Sequence, residues 1–348
     1  MRTRAALAGF LLLTGCSAAG LSPTPSQRAP AAPERLTREQ SESGTGLAHA
    51  ISEFQIITMW PRAQPFDIAA ARDGTLWFTE PGLSAIGHIG GDGTIRQFFI
   101  PTRGGEPEGI VASGDGSMYF AEHMGPNYAT HVATIASDGH VTEYNDSNLM
   151  PIGVAAGPNG SMWFTQGCAG LAVLSHGKVT QYPISGITGE SPAIVRAPDG
   201  SMWFSEDGTA RIGRVGPEGQ LRTYTGLMYE SKYNDIPNGV TAGPDGNLWW
   251  TALASNAIWA TNLHGRVVHV YTVPTDGSQP WGIATGRDGA LWFTEAAGDK
   301  IGRVTTAGAF SEYPLPTPYA HPQGIARNRD GSLWFVESGA DQLGRIAD

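Results

Sequence analysis

The chain has 348 residues, of which 47 are glycine and only 16% are charged, and its formal net charge is −10. This acidic balance argues against nucleic-acid binding, because a basic surface is needed to neutralise phosphates. No apolar run in the body of the chain approaches the roughly 20 residues of a membrane-spanning helix. Abundant glycine with scattered aromatic residues predicts short strands joined by tight turns.

The N-terminus has the pattern of a bacterial lipoprotein signal. Arg2 and Arg4 precede the apolar run AALAGFLLL (5–13), and the motif LTGC, which resembles a lipobox, ends in Cys16. A basic start, a short apolar core and a small-residue cleavage site are typical of secretory signals. We expect residues 1–15 to be removed, Cys16 to be lipidated, and the protein to be exported and held to the membrane only by this anchor. The alternative is ordinary signal cleavage with an incidental cysteine.

The next segment is predicted to be a tether. Residues 16–50 are rich in Ala, Ser and Pro and lack a periodic apolar pattern, which favours a flexible chain. Cys168 is the only other cysteine, so acylation of Cys16 would leave no pair for an intramolecular disulfide.

From residue 51 onward, a unit of about 43 residues recurs seven times. Each unit has a Pro-x-Gly-like segment, a glycine-containing turn, an aromatic pair and two further strand-like segments, which predicts four short strands. The intervals between successive aromatic pairs are 42, 44, 40, 46, 43 and 42 residues. The pairs are Trp77-Phe78, Tyr119-Phe120, Trp163-Phe164, Trp203-Phe204, Trp249-Trp250, Trp292-Phe293 and Trp334-Phe335. Seven such units predict an all-β fold, a seven-bladed β-propeller with blades one to seven in chain order.

The two ends of the repeat predict how the ring closes. The seventh unit stops at LGRIAD (343–348), after its third strand, whereas SEFQIITMWP (52–61) precedes the first unit and matches a fourth strand. We therefore expect residues 52–60 to complete the last blade, which removes an open sheet edge. The propeller would then occupy residues 51–348 as one domain, expected to be a monomer.

The sequence motifs of the repeats resemble those of the virginiamycin B lyase family, also called streptogramin B lyases. The phrases LWFTE (291–295), IGR (301–303) and EYPLPTP (312–318) support the resemblance, which covers roughly residues 52–348. It implies a carbon–oxygen lyase that linearises type B streptogramins, which are cyclic depsipeptide antibiotics, and so confers antibiotic resistance. It also implies a histidine base and a divalent metal, usually magnesium, that stabilises the developing enolate.

The functional positions implied by the resemblance lie in blades six and seven. Where the family has its first histidine, this chain has Trp281. Where the family has a Glu-Pro-His run, this chain has His321 in place of the glutamate and Gln323 in place of the histidine. The last glutamate of the family is matched approximately by Glu337. Tryptophan cannot act as a base, and glutamine can only hydrogen-bond. The catalytic candidates are therefore Gln323, Glu337 and His321, with His321 taking over the role of base from a neighbouring position.

Blade two predicts a metal site. Glu106 and Glu108 begin this blade, and Glu122 ends its aromatic strand beside His123. Hard cations take oxygen ligands, and carboxylates are costly to cluster without one. We expect Glu106, Glu108 and Glu122 to hold a divalent cation, magnesium before calcium, with a further oxygen from Asn238. The alternative is a solvated acidic rim without a metal.

The starts of the first strands predict a ligand site. Phe66, Asn238 and Trp281 each follow a proline where these strands should surround one end of the central channel. They would bind a small molecule or peptide there, unless the aromatic rings only plug the channel. The insertion TGLMYESKYND (225–235) should overhang the same end. The open alternatives are a metal-assisted lyase, a hydrolase of the gluconolactonase type, and a non-catalytic cell-envelope propeller that binds a peptide, glycan or protein.

The glutamate that ends several aromatic strands has a structural interpretation. A base follows it after eight residues, so that acid and base occur together. The pairs are Glu206 with Arg214, Glu295 with Arg303, Glu337 with Arg345 and Glu80 with His88. We predict cross-strand ion pairs worth about 0.2–1 kcal/mol each. Glu122 has Thr134 at the corresponding position, which makes it a functional candidate instead.

Overall fold

The computed structural model describes most of the predicted propeller. It covers residues 50–56, 62–123, 130–145, 149–167, 170–184, 192–206, 211–224 and 237–347, with the backbone of 34–35 and 38–39. The signal peptide, Cys16 and the insertion 225–235 lie outside the described residues, so the expectations for them stay predictions. Within the described part, no helix is long and apolar enough to cross a lipid bilayer.

The described chain forms seven antiparallel sheets. Six of them contain four successive strands of the repeat, and the seventh combines three successive strands with one from the N-terminus. Blade one has β4 (Ile68–Ala70), β5 (Leu76–Glu80), β6 (Ala85–Ile89) and β7 (Thr94–Phe99); blade two has β8 (Glu106–Ala112), β9 (Met118–His123), β10 (His131–Ile135) and β11 (Val141–Tyr144). Blade three has β12 (Pro151–Ala156), β13 (Met162–Gln166), β14 (Gly170–Ser175) and β15 (Lys178–Pro183); blade four has β16 (Ile194–Arg196), β17 (Met202–Glu206), β18 (Arg211–Val215) and β19 (Leu221–Tyr224).

The remaining blades repeat this order up to the end of the chain. Blade five has β20 (Pro237–Ala242), β21 (Leu248–Ala252), β22 (Ala257–Thr261) and β23 (Val267–Thr272); blade six has β24 (Pro280–Thr285), β25 (Leu291–Glu295), β26 (Lys300–Val304) and β27 (Phe310–Pro314). Blade seven has β28 (Pro322–Arg327), β29 (Leu333–Glu337), β30 (Gln342–Ile346) and, from the N-terminus, β3 (Ile51–Gln55). Short 3₁₀ helices occur at Pro81–Leu83 and Pro158–Gly160.

The ring closes as the sequence predicts. Strand β3 runs antiparallel to β30, with Ile51 opposite Ile346 and Gln55 opposite Gln342. The first strands of neighbouring blades contact one another in turn, and β28 of blade seven contacts β4 of blade one. The seven-bladed β-propeller closed by its N-terminal strand is thereby confirmed. Two short strands in the predicted tether, β1 (Glu34–Arg35) and β2 (Arg38–Glu39), pair with β7 and β3.

Packing in the core explains the glycine in the Ile-Gly-Arg motif that recurs in the third strands. Phe293 is fully buried and lies opposite Gly302 across the β25–β26 ladder. A Cβ atom at Gly302 would lie 2.1 Å from Cζ of Phe293, so only glycine leaves room for the ring. The same relationship joins Phe78 to Gly87. The aromatic pairs that marked the repeat are therefore packing groups between sheets.

Linkers between blades are fixed by glutamates of the fourth strands. The backbone N–H of Thr275, which follows β23, donates to Oε1 of Glu312 in β27 over 2.9 Å. Thr317 donates to Glu53 of β3 in the same way over 3.0 Å. These bonds attach each linker to the fourth strand of the blade that follows it. The recurring Glu-Tyr and Pro-Thr motifs of the sequence therefore have a structural role, in which the glutamate binds the threonine of a linker.

The predicted ion pairs between strand-ending glutamates and arginines are wrong. The antiparallel register places Arg303 opposite Trp292, while Glu295 lies opposite Lys300 at the other end of the ladder. Arg303 instead donates from Nε to Oδ2 of Asp288, the turn aspartate, over 2.6 Å. Three other predicted pairs fail for the same reason: Arg214 bonds Asp199, Arg345 bonds Asp330, and His88 lies opposite Trp77.

Candidate functional site

The beginnings of the first strands and the ends of the second strands meet at one end of the central channel, here called the channel mouth. Pro280 lies opposite Glu295, and Pro322 lies opposite Glu337. A register shift follows each of these prolines, as expected of a β-bulge that changes the direction of a side chain. The residues that follow proline in such shifts are Glu108, Ile152, Asn238, Trp281 and Gln323, and Phe66 has the matching position before β4.

Two of the predicted ligand-binding residues are in contact. The rings of Phe66 and Trp281 meet edge to face, with centroids 6.1 Å apart and an interplanar angle of 88°. They belong to blades one and six, which blade seven separates, so the contact joins two blades that are not direct neighbours in the ring. Both residues are half-buried, so part of their apolar surface remains accessible. Asn238 has the equivalent position in blade five, and its role in binding stays a prediction.

A histidine–carboxylate pair lies at the channel mouth in blade two. Nδ1 of His123 lies 3.1 Å from Oε1 of Glu108, a hydrogen bond in which the imidazole N–H donates. The carboxylate therefore fixes the tautomer and leaves Nε2 as the atom able to accept a proton. Glu106 lies opposite His123 in the ladder. Loss of solvent and the charge of Glu108 raise the pKa of Glu106, whereas His123 lowers it.

The three predicted metal ligands do not come together. Glu106 and Glu108 lie at the channel mouth, but Glu122 is fully buried on the other face of β9, because neighbouring strand residues point to opposite faces. Oε2 of Glu122 lies 3.0 Å from Nδ1 of His131. Glu143 completes this cluster, whose three ligand atoms lie within 4.8 Å of one another. The sequence prediction missed His131 and Glu143, although Glu143 has the same fourth-strand position as Glu312.

The cluster of Glu122, His131 and Glu143 has a structural counterpart in blade six. There Lys300 lies opposite Glu295 and places Nζ 2.9 Å from Oε2 of Glu312. Burial raises the pKa of Glu122 to about 7, against the hydrogen bond from His131. Burial lowers the pKa of His131, but its bond to Glu122 and the two nearby carboxylates outweigh this, so that its pKa is raised. In both of these blades, a basic side chain thus offsets the negative charge of two acidic side chains.

The catalytic candidates of blade seven are dispersed. His321 is exposed, and its Nδ1 donates to the carbonyl of Ala296 over 3.1 Å. Glu337 is fully buried, and neither of its carboxyl oxygens has a hydrogen-bond partner in the described part of the chain. Burial, with the charges of Glu53 and Asp299, raises the pKa of Glu337 to about 9. Its carboxyl group is therefore neutral at neutral pH.

The blade-seven residues do not fit magnesium. Mg²⁺ takes oxygen ligands and prefers charged carboxylates. His321 offers an imidazole, Gln323 an amide, and Glu337 a carboxyl group that burial keeps protonated. The arrangement implied by the family resemblance is therefore not available at these positions.

An acid replaces glycine at the start of the first blade, and the sequence prediction missed it. Asp67 has the position held by Gly109 in blade two and by Gly324 in blade seven. Its carboxylate accepts the backbone N–H of Ile68 at 2.8 Å and of Ile110 at 3.0 Å, so it joins blades one and two. Burial raises the pKa of Asp67 to about 6, although both bonds lower it. Asp67 adjoins Phe66 in the chain, so these bonds help to fix the backbone at the channel mouth.

Comparisons with known proteins agree on one family. The model of the virginiamycin B lyase family matches residues 44–232 and 225–348. A virginiamycin B lyase of Nocardia farcinica is 29% identical over 218 residues, which are 62% of this chain and 72% of that protein. The crystal structure of selenomethionine-substituted virginiamycin B lyase from Staphylococcus aureus is 26% identical, with a TM-score of 0.79 over 86% of this chain and all of that one.

A further solved structure contains a ligand. It is a catalytically inactive His-to-Ala variant of the Staphylococcus aureus virginiamycin B lyase with quinupristin. It is 28% identical to this chain, with a TM-score of 0.76, and the match covers 86% of this chain and 99% of that one. The similarity therefore extends over the described propeller.

Proposed function

This chain belongs to the virginiamycin B lyase family, and from that membership we propose a streptogramin-lyase-like carbon–oxygen lyase, exported as a lipoprotein. It would act on a cyclic, peptide-like molecule at the channel mouth. The observation that supports the proposal is the hydrogen bond between His123 and Glu108 at the channel mouth, which would orient the imidazole for the role of base. Export and lipidation rest on the sequence that ends in Cys16.

Binding of a peptide-like ligand is supported by the aromatic contact at the channel mouth. Phe66 and Trp281 together offer apolar faces, and aromatic rings stack well on rings of a ligand. Gln323 and Asn238 supply amides that hydrogen-bond to peptide groups. The related lyase with quinupristin suggests the same class of ligand for this chain.

The reaction class is an elimination. The base removes a proton from the carbon next to a carbonyl, a carbon–carbon double bond forms, and the adjacent carbon–oxygen bond breaks with release of a carboxylate. We assign the base to Nε2 of His123, and Glu108 stabilises the imidazolium that forms. His123 is only 4% exposed, so substrate access to Nε2 requires a rearrangement at the channel mouth.

In this proposal, a divalent cation would bind only at blade two. Glu106 and Glu108 offer two carboxylates at the channel mouth. Partial burial, and then the charge of Glu108, raise the pKa of Glu106, and a bound cation would offset the repulsion between the two carboxylates. When bound, the cation would supply an electrophile for the negative charge that develops on the substrate carbonyl.

A second function is favoured by a different observation. Trp281 and Gln323 occupy the two positions where the family resemblance implies histidines. A tryptophan and a glutamine there can hold a ligand but cannot remove a proton. The protein would then bind a peptide-like ligand in the cell envelope without converting it.

Product analysis separates the two functions. The purified mature protein is incubated with a type B streptogramin and Mg²⁺, and the mixture is analysed by chromatography with mass spectrometry, because elimination opens the ring without changing the mass. An isomer with an open ring supports the lyase. An intact ring with saturable binding in calorimetry supports the binding protein. Neither conversion nor binding would contradict both functions for this substrate.

A further inference from the structure

Four arginines surround a cavity at the end of the channel opposite to the channel mouth. The cavity has a volume of about 710 Å³ and is lined by Arg72, Arg287, Arg327 and Arg329; we call it the arginine cavity. Arg327 ends β28. The other three lie in the turns between the first and second strands of blades one, six and seven. Since the first strands begin at the channel mouth, these turns lie at its opposite end.

These arginines are exceptions to the repeat. Arg72, Arg287 and Arg329 each precede the Asp-Gly of their turn, and the same position in the other blades is uncharged. The residues there are Gly114, Pro158, Pro198 and Pro244. The hairpin therefore does not require arginine at this position. Three of them in adjacent blades, within a chain of net charge −10, concentrate positive charge in one place.

Three aspartates follow arginines of the cavity, and each bonds a residue outside it. The carboxylates of Asp288 and Asp330 bond Arg303 and Arg345 of the third strands. Oδ1 of Asp73 accepts the backbone N–H and the hydroxyl of Thr75, over 2.9 and 2.7 Å. Within the described chain, no salt bridge involves Arg72, Arg327 or Arg329.

Two of the guanidinium groups are held by backbone carbonyls. Nη1 of Arg327 donates to the carbonyl of Gly286 over 3.2 Å, and Nη1 of Arg329 donates to that of Arg72 over 3.0 Å. A guanidinium has five N–H donors, so each keeps donors for a ligand while the carbonyl bond limits its movement. The positions of the charges are therefore partly set before a ligand binds.

A partly apolar groove continues from the arginine cavity. A second cavity of about 620 Å³ between blades seven and one shares Asn328 and Arg329 with it. Its lining includes the apolar residues Leu76, Ile89 and Trp334, together with the charged residues Asp73, Asp330 and Arg345. A ligand with charged groups in the arginine cavity can thus place an uncharged part against apolar side chains.

We propose that the arginine cavity binds an organic oligoanion, a small molecule with at least two phosphate or carboxylate groups and an apolar part. Guanidinium groups pair with both kinds of anion through two parallel hydrogen bonds. The volume lies within the range of roughly 300–1,000 Å³ that is typical of small-molecule sites. The charges line a concave space, which fits a soluble ligand better than the plane of a bilayer. This site is separate from the channel mouth and does not depend on the lyase reaction.

Calorimetry with simple anions tests the proposal. Pyrophosphate and citrate are titrated separately into the full-length mature protein at low ionic strength, as phosphate and carboxylate probes. We expect saturable binding of at least one of them, with a dissociation constant below about 1 mM, which weakens as salt is added. The variant Arg72→Gln/Arg287→Gln should bind at least about tenfold more weakly. Arg196→Gln, which alters the equivalent of Arg327 in blade four, should bind like wild type.

Other outcomes overturn the proposal. They are the absence of saturable binding for both anions, equal affinity in the double variant, or binding confined to phosphatidylglycerol vesicles, which would indicate a membrane contact instead. The single variant Arg72→Gln controls for misfolding of the double variant, because Arg72 is exposed and its replacement should leave the fold intact. With a melting temperature equal to that of wild type, it should still weaken binding severalfold.

Discussion

Arg303 lies over the indole ring of Trp292, with its guanidinium carbon 5.7 Å from the ring centroid. The two residues face each other across the β25–β26 ladder, and the guanidinium also forms an ion pair with Asp288. The same arrangement joins Arg214 to Trp203. The recurring arginine of the third strand therefore fixes the turn and the aromatic core of its blade, at the opposite end of the strand from the glutamate.

This arrangement predicts which residues are coupled in stability. Arg303→Ala should lower the free energy of unfolding by about 1 kcal/mol, because it removes a cation–π contact and a partly exposed ion pair. A double-mutant cycle with Asp288→Asn should give a clear coupling energy, whereas a cycle with Glu295→Gln should give a value near zero. Denaturant unfolding measures both cycles. A larger coupling of Arg303 with Glu295 than with Asp288 would contradict the observed register.

The partner of this arginine follows from the register of the hairpin. Glu295 pairs with Lys300, and each step back along β25 from Glu295 is matched by a step forward along β26 from Lys300, so Arg303 faces Trp292. The interval of eight residues between Glu295 and Arg303 does not reveal their facing partners, because the length of the tight turn sets the register. The strands and the ring closure were predictable, since the aromatic pairs and turns repeat seven times.

The site was less predictable than the fold. The contact of Phe66 with Trp281 joins blades one and six, and it depends on the width of the channel. The pair of His123 with Glu108 depends on the register shift between Pro107 and Ile110, which changes the direction of the glutamate. Bulges and channel width leave no periodic signal in the sequence.

The buried carboxyl group of Glu337 predicts a pH-dependent effect on stability. Its pKa is about 9 in the folded chain, above the ordinary value of 4.5. The stabilisation from the bound proton is present below about pH 4.5 and is lost as the pH rises towards 9. Glu337→Gln should therefore match wild type near pH 4 and be more stable at pH 8, by up to about 5 kcal/mol.

Thermal or denaturant unfolding between pH 4 and pH 8 checks this difference. Glu218→Gln, at an exposed turn position, is the control and should leave the pH dependence as in wild type. A Glu337→Gln variant that loses stability at pH 8 would show that Glu337 is ionised and paired in the folded chain.

The separation of the blade-two carboxylates predicts where a divalent cation binds. Glu108→Gln should weaken binding of Mg²⁺ or Mn²⁺ by about tenfold, equivalent to about 1.4 kcal/mol, because it removes a charged ligand at the channel mouth. Glu122→Gln should leave the affinity unchanged, since Glu122 lies on the other face of β9. Calorimetry with each metal measures this. The reverse pattern would place the cation at the cluster of Glu122, His131 and Glu143.

The N-terminal motif predicts membrane attachment through one cysteine. In a bacterial host, the full-length chain should incorporate labelled palmitate and sediment with membranes, and Cys16→Ser should abolish both, because no other anchor is expected. Cys168→Ser is the matched control and should retain the label. Labelling that persists in Cys16→Ser would contradict lipidation at this cysteine.

The rate of ring opening in histidine variants tests the central claim most directly. Wild type, His123→Asn and His321→Asn are compared on one type B streptogramin, with the linear isomer followed by chromatography. The account predicts that His123→Asn lowers the rate by about 100-fold or more, as expected for loss of a general base, while His321→Asn retains the wild-type rate. Equal rates for wild type and His123→Asn, or loss of activity in His321→Asn alone, would contradict the assignment of the base to blade two.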